Sequence, residues 1–512
     1  MTRPLLLGAL VGVVIAASSP ARAGTYYVGK SGCSNSGPGS KGQPWCSVNT
    51  GVNKLNAGDT LYVGAGTYKE KVKIKRSGSS GKPITLAAAP GAKPVIDGKG
   101  QSLYESGVLE INTRKHITVR GLTWQNSSYY CVLITDSTNI IFEKNYVSSC
   151  YHGGVVVDEG SSYIKVLGND VQKTDQCGKG CGTHEAITIS ETDHFEVANN
   201  YVHHGVKEGI DCKDASSDGT VHHNTVANMG QVGIYLNHCV NVKFYRNNVH
   251  NNGSSGFQLA VGDYAMGTKK TDNNHIYQNL SWSNGYCGIE YWAEGSGTMS
   301  NNRIYNNVFY NNGHYGMQMS DDDSQVKGTI IRNNIIMDNS LGGIVGSARK
   351  NATISHNLFQ GNSSQGSSVV KGNPMFVNQG SGNFNLKAGS PAIDKGYDMG
   401  LPKKNAQDIG AYEYGYTPPK LDKGVPPKLD KGVPPKKDKG VPKKDKGAPK
   451  KDKYVKPPPG QEASVPPPAD AGHGADPTLE GACGCETGGA AGGPVAVLVV
   501  VVLVLALRRR RG

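Results

Sequence analysis

The sequence predicts an all-β fold, a single-stranded right-handed parallel β-helix (a solenoid) of about 10–12 coils. Three observations predict it. The first is an asparagine repeat. Asn145, Asn169, Asn200, Asn224, Asn248, Asn279, Asn307, Asn334 and Asn357 recur at intervals of 23 to 31 residues, in frames such as Val221-His222-His223-Asn224-Thr225-Val226. The second is a glycine register. Gly209, Gly233, Gly256, Gly288, Gly316 and Gly343 are followed by Ile210, Ile234, Phe257, Ile289, Met317 and Ile344. Two positions further on stand Cys212, Leu236, Leu259, Tyr291 and Met319. Apolar columns alternating with polar ones mark half-buried strands. Units of this length bury their inner faces by stacking on their neighbours. The third observation is that, between Gly24 and Tyr414, short β-branched runs alternate with Asn and Gly and amphipathic helical periods are scarce. Asparagines stacked at the bends are expected to form side-chain ladders and to tolerate left-handed turns.

Taken in order, residues 1–23 read as a secretory signal. Arg3 gives the positive start, Leu5 to Ala17 the apolar core, and Ala21-Arg22-Ala23 a small-residue cleavage site. The β-helix domain is expected over 24–415. From 416 to 480 a Pro/Lys/Asp-rich linker follows, with repeats such as Gly424-Val425-Pro426-Pro427-Lys428-Leu429-Asp430-Lys431. Its proline favours extended polyproline II and its composition cannot bury a core. Residues 481–512 hold Cys483-Gly484-Cys485, an apolar run from Pro494 to Leu507 and a terminal cluster Arg508 to Arg511. The apolar run is expected to span a membrane with the arginines inside. Export and display on the cell surface follow.

The formal net charge is +13. The segment from Tyr416 to Pro458 carries 14 Lys and 5 Asp, and the tail carries four Arg. Those two segments account for the whole excess, so the globular part is electrically balanced and is not a basic nucleic-acid binder. The chain is expected to be a monomer. Nine cysteines fall in the domain. Cys33 with Cys46 and Cys177 with Cys181 bracket short loops, and Cys131 with Cys150 and Cys212 with Cys239 could also bridge in an oxidising compartment.

The outward positions of the glycine-register strands carry the chemistry, because neighbouring coils stack them about 4.8 Å apart. One column reads Thr188, Asp211, Tyr235, Gln258, Glu290 and Gln318; the next reads Ser190, Lys213, Asn237, Ala260, Trp292 and Ser320. Amides and carboxylates bind sugar hydroxyls, and Tyr or Trp faces stack on pyranose rings. Asn237, Gln258, Glu290 and Trp292 are therefore candidate substrate-binding residues. The densest charged stretch is Glu208-Gly209-Ile210-Asp211-Cys212-Lys213-Asp214, with Glu185 one coil earlier.

Several stretches carry family resemblances. Gly24 to Val28, Gly58 to Val63 and Gly66-Thr67-Tyr68, with Asn383 to Leu386, Gly389 to Ala392 and Asp408 to Tyr412, resemble the first and last coils of the pectate-lyase-like β-helix superfamily. Over Glu208 to Lys213 the chain resembles the chondroitinase B and alginate lyase family, where a Glu precedes the base Lys by five residues. It departs in having Val206 where that family has a second Glu, and in having Tyr235, Asn237 and His238 where an Arg is expected. Calcium-dependent β-helix pectate lyases, with an Asp cluster and a Lys base, are similar to an equal degree. The C-terminal cysteine motif, apolar run and Arg cluster resemble a myxosortase-type sorting signal, which implies processing at the cysteines and interaction with sorting machinery.

These resemblances imply β-elimination on a uronate-containing, extracellular acidic polysaccharide. Ca2+ held by Glu185, Glu208, Asp211 and Asp214 would neutralise the uronate carboxylate. Lys213 would be the base, needing a lowered pKa, and Tyr235 or His238 would protonate the leaving oxygen. Bare neighbouring carboxylates would instead raise the pKa of Lys213. Two other function classes stay open: a glycoside hydrolase using Asp211 with Glu290 or Glu185 with Glu208, and a non-catalytic glycan-binding or adhesion protein.

Overall fold

A computed structural model describes residues 23–178, 184–262, 269–293 and 295–415. The signal segment, linker, cysteine motif, apolar run and Arg tail lie outside the described residues. Among the described residues no helix is long and apolar enough to cross a membrane.

The period-2 columns become strands, as expected. Three parallel sheets of 13, 11 and 13 strands run the length of the domain, and each strand pairs with the strand one coil away. One coil runs Ser162–Leu167, Asp170–Gln172 and Ile187–Ser190, one strand in each sheet, before Asp193–Ala198 starts the next. The chain thus makes a solenoid of about 12 coils. The glycine register forms the 11-stranded sheet. Ile187, Ile210, Ile234, Phe257 and Ile289 pair in succession along its inner side. The inward side chains of all three sheets fill one continuous core from Val28 to Phe359. The glycines before these strands permit close approach of the coils: a Cβ on Gly209 would stand 2.6 Å from the Gly233 carbonyl oxygen, and one on Gly288 2.6 Å from that of Gly316.

The asparagine ladder is present, with two corrections. Its rungs are Asn145, Asn169, Asn200, Asn224, Asn247, Asn279, Asn307, Asn334 and Asn357, so Asn247 holds the rung that the repeat assigned to Asn248. Asn248 instead opens the next strand and accepts a hydrogen bond from Trp282 Nε1 at 2.8 Å. Further, the left-handed residue is the one before each rung: Lys144, Gly168, Asn199, His223, Arg246, Gln278, Asn306, Asn333 and His356 all have φ between 53° and 61°. The rung residue must turn its amide inward to meet buried backbone groups, and its predecessor takes the tight bend.

Each rung satisfies polar groups that the solenoid would otherwise bury unpaired. Asn247 accepts from the Asn224 backbone N–H at 3.1 Å, and its Nδ2 donates to the Val221 carbonyl at 2.9 Å. Asn247→Ala would orphan both and is expected to cost about 2–4 kcal/mol, whereas Asn248→Ala should cost much less. Urea unfolding of the two variants checks this.

Disulfides join Cys33 to Cys46, Cys131 to Cys150 and Cys212 to Cys239. Cys177 is also disulfide-bonded, and Cys181 lies outside the described residues. Cys287 is a buried free thiol. The ends depart from simple coils. The helix Val48–Val52 closes the N-terminal end, its first turn held by the Glu70 carboxylate, which accepts from the Val48 N–H at 2.8 Å. The closing stretch, expected as last coils, makes an antiparallel pair, Phe376–Asn378 with Asn383–Leu386. That pair packs Phe376, Phe384 and Leu386 against the flank formed by Leu280, Val308, Ile335 and Leu358.

Candidate functional site

The outer face of the 11-stranded sheet carries the predicted columns in register. Thr188, Asp211, Tyr235, Gln258, Glu290 and Gln318 pair in turn, and Ser190, Lys213, Asn237, Ala260 and Trp292 follow beside them. Inward positions of the same strands are taken by Ile210, Cys212, Leu236 and Tyr291, all buried. Alternation therefore puts Asp211 and Lys213 outside the solenoid, yet neighbouring side chains cover them. Asp211 is only 1% exposed and Lys213 9%.

What covers them is a compact ionic cluster. Lys213 Nζ lies 2.9 Å from Glu185 Oε2 and 3.3 Å from Asp211 Oδ2. Lys207 Nζ reaches the other Glu185 oxygen at 3.2 Å, and the Thr188 hydroxyl donates to Glu185 Oε2 at 3.0 Å. Burial alone would raise the Glu185 pKa, but Lys213, Lys207 and His184 outweigh it and hold the carboxylate near 2. Burial alone would lower the Lys213 pKa, but Glu185 and Asp211 outweigh it and hold the ammonium well above its ordinary range. The lowered pKa expected of a base is thus not met in this arrangement.

The remaining carboxylates have the opposite character. Burial, with Glu185 and Glu208 adding repulsion, pushes Asp175 up to about 7. Burial and the Glu185 charge raise Glu208, and burial raises Asp211 well above the ordinary carboxylate range against the pull of Lys213. Both Asp175 oxygens, Glu208 Oε2 and Asp211 Oδ1 are buried without a hydrogen-bond partner among the described residues. Unpaired buried carboxylate is unfavourable unless protonated or joined by a cation.

Among the described residues no three acidic, His or Cys side chains already surround one point. Glu185 is taken by two lysines, and Asp214 accepts from the Ser190 hydroxyl at 3.2 Å. The buried oxygens without a hydrogen-bond partner belong instead to Asp175, Glu208 and Asp211. Sequence reading missed Asp175 and Lys207. Lys207 was legible as the neighbour of Glu208, but Asp175 lies in a turn off the strand columns and carried no periodic signal.

The other candidates divide. Tyr235 and Asn237 are half-buried on the outer face beside the cluster. Gln258 Nε2 donates to Glu290 Oε2 at 3.0 Å, and the Ser255 hydroxyl donates to the same oxygen at 2.7 Å. Trp292 is 49% exposed. His238 departs from expectation: it follows the strand at φ 63° and is fully buried, with its backbone N–H bonded to Thr271. That burial removes it from the strip, which leaves Tyr235 as the acid candidate. His203 and His222 end their strands, just before the bends at His204 and His223, and pair with Asp170 and Glu196.

On the other side of the cluster lies an aromatic group. Tyr129 and His152 have ring centroids 4.3 Å apart, Tyr129 and Tyr130 4.6 Å, and Tyr130 and His184 5.2 Å. From Tyr130 to Trp292 the face spans seven paired strands, about 29 Å at the usual strand spacing. The face thus carries aromatic rings at both ends and a charged centre.

Residues 26–388 match the family described as the Pel9A-like right-handed β-helix region. The chain belongs to that family. The crystal structure of pectate lyase Pel9A is similar with a TM-score of 0.52 at 18% identity, covering 76% of this chain and 96% of that one. The uncharacterised protein YwoF of Bacillus subtilis is 28% identical over 340 residues, 56% of this chain and 69% of its own length. Pectate lyase PEL9 of Emericella nidulans is 27% identical over 194 residues, 34% of this chain, which spans less than half (47%) of that relative. The shared fold is the right-handed parallel β-helix, and the disulfides accord with an extracellular setting.

Proposed function

We propose that the protein is a calcium-dependent lyase that cleaves an extracellular, uronate-containing polysaccharide by β-elimination on the outer face of the 11-stranded sheet. The observation that carries the reading is the ionic cluster. Two lysines and a surplus of buried, partly unpartnered carboxylates stand midway along a face long enough for a glycan. A structural ion-pair network has no need of unpaired acids.

Asp175, Glu208 and Asp211 are the residues that would hold Ca2+, which when bound supplies positive charge to the uronate carboxylate and so acidifies the adjacent C–H. Lys213 Nζ stands on the outer face as the proton acceptor. It can accept a proton only when the carboxylates that hold its ammonium form are engaged elsewhere. Tyr235, the next residue along the Asp211 column, would give its phenolic proton to the leaving oxygen as the C–O bond breaks. Lys207 keeps Glu185 ionised and fixed. Hydrolysis is less well served. Asp211 and Glu290 are three strands apart, about 14 Å, beyond the roughly 6.5–9.5 Å of an inverting pair. In the other pair Glu208, raised by burial, has the character of an acid, but Glu185 is tied to both Lys207 and Lys213 and is not free to act as its base or nucleophile.

The test is incubation of the full chain with pectate, alginate and glycosaminoglycans, with and without Ca2+. Ultraviolet absorbance from unsaturated uronide is expected on at least one of them and only with the cation. New reducing ends without that absorbance would indicate hydrolysis, and binding without product would indicate an adhesin.

A further inference from the structure

The downstream end of the same face holds a groove whose chemistry differs from that of the cluster. Ser254, Tyr286, Glu290, Trp292, Gln318 and Asp321 are among the residues lining this open space of about 510 Å³. Half of the Trp292 surface is exposed, whereas Trp45 and Trp124 are buried and Trp282 packs on His250 at a ring distance of 4.5 Å. An exposed indole beside hydrogen-bonding groups is the usual platform for the apolar face of a pyranose.

The polar groups around it are donors and acceptors suited to hydroxyls. Glu290 is anchored by Ser255 and Gln258. Asp321 and Asp322 stand at the rim, Asp322 accepting from the Ser324 hydroxyl at 2.7 Å. Among the described residues no lysine or arginine lines the groove. Lys350 is paired with Asp323 of the acidic turn. A carboxylated sugar would meet acids with no opposing cation among the described lining residues. At the central cluster, by contrast, Lys207 and Lys213 lie among the acids.

We propose that this groove is a subsite for a pyranose that carries no carboxylate, so that the glycan lying on the face is a heteropolymer of uronate and non-acidic sugars. Asp211 and Glu290 are three paired strands apart, about 14 Å, which puts the non-acidic sugar a few residues from the bond cleaved. The heteropolymer statement rests on the lyase reading above; the groove's preference does not.

Titration of the full chain with hexasaccharides, followed by tryptophan fluorescence, tests it. Mannohexaose, a hexamer of glucosamine and hexagalacturonate serve as the uncharged, cationic and anionic probes. A probe without carboxylate is expected to perturb the fluorescence and bind at least roughly tenfold more tightly than hexagalacturonate. Trp292→Ala should abolish that binding, and Trp292→Tyr, followed by calorimetry, should retain it. Response to the glucosamine oligomer alone would also support the proposal and narrow the sugar to an amine. Equal or tighter binding of hexagalacturonate, no binding of either other probe, or unchanged binding in Trp292→Ala would overturn it. If the groove binds as expected while no glycan yields unsaturated uronide, it is the lyase reading that fails.

Discussion

Replacing Lys213 by methionine is expected to lower the stability of the domain by about 3–5 kcal/mol and to abolish uronide formation. The side chain is buried and its ammonium lies against Glu185 and Asp211. Removing the cation leaves Asp211, already raised by burial, with no neutralising partner, and leaves Glu185 with Lys207 alone. Lys213→Arg separates the two roles. Its guanidinium keeps the charge and so most of the stability, but it cannot give up a proton and serves no base function. Urea unfolding should therefore place the Arg variant near the parent and the Met variant far below it, with both devoid of product. An Arg variant that retained full activity would remove Lys213 from the chemistry.

The second large effect concerns the cation. In the metal-free protein Asp175 has its pKa raised to about 7 against an ordinary 3.8, and Glu208 and Asp211 are shifted in the same direction. A carboxylate with a raised folded-state pKa binds more protons folded than unfolded between those values. These acids therefore take stability from the metal-free fold as pH rises from about 4 through about 7. Calcium and protons compete for the same oxygens. Added Ca2+ is expected to raise the thermal midpoint clearly at pH 8, by about 2.7 kcal/mol of stabilisation at a hundredfold excess over its dissociation constant, and scarcely at pH 5. Asp175→Asn should erase most of that difference and raise the metal-free midpoint at pH 8. Calorimetric scans at the two pH values, with Ca2+ or a chelator, give the comparison; an equal shift at both would show that these acids do not hold the ion.

The fold was legible because the solenoid repeats one physical problem in every coil. Ile187, Ile210 and Ile234 each fill the same inward position, and Asn200, Asn224 and Asn279 each satisfy the same bend, so a column of residues reports one environment many times over. Where two candidates stood side by side, as Asn247 and Asn248 did, periodicity could not choose. The choice was made by which amide meets the buried Val221 carbonyl. The face of the site was legible for the same reason, since alternation sends Asp211, Lys213, Glu290 and Trp292 to one side.

What was not legible is how the side chains there pair. Spacing showed that Glu185 would stack near Glu208 but not that Lys207 and Lys213 would both turn onto Glu185. Spacing also placed His238 close to the strip, while the bend after Asn237 buries it. Asp175 belongs to an irregular turn between Asp170–Gln172 and Ile187–Ser190, where only three-dimensional packing brings it toward the strand acids. The regular part of a solenoid reads directly from its columns; its insertions do not.

The most direct measurement is a crystal structure of the full chain with Ca2+ and an oligouronide. The expected result is the saccharide lying along the outer face of the 11-stranded sheet, with the metal ligated by Asp175, Glu208 and Asp211, a uronate carboxylate on it, and Lys213 Nζ released toward the acidified C–H. A saccharide bound to either 13-stranded sheet, or Lys213 still locked between Glu185 and Asp211 with the sugar in place, would contradict it.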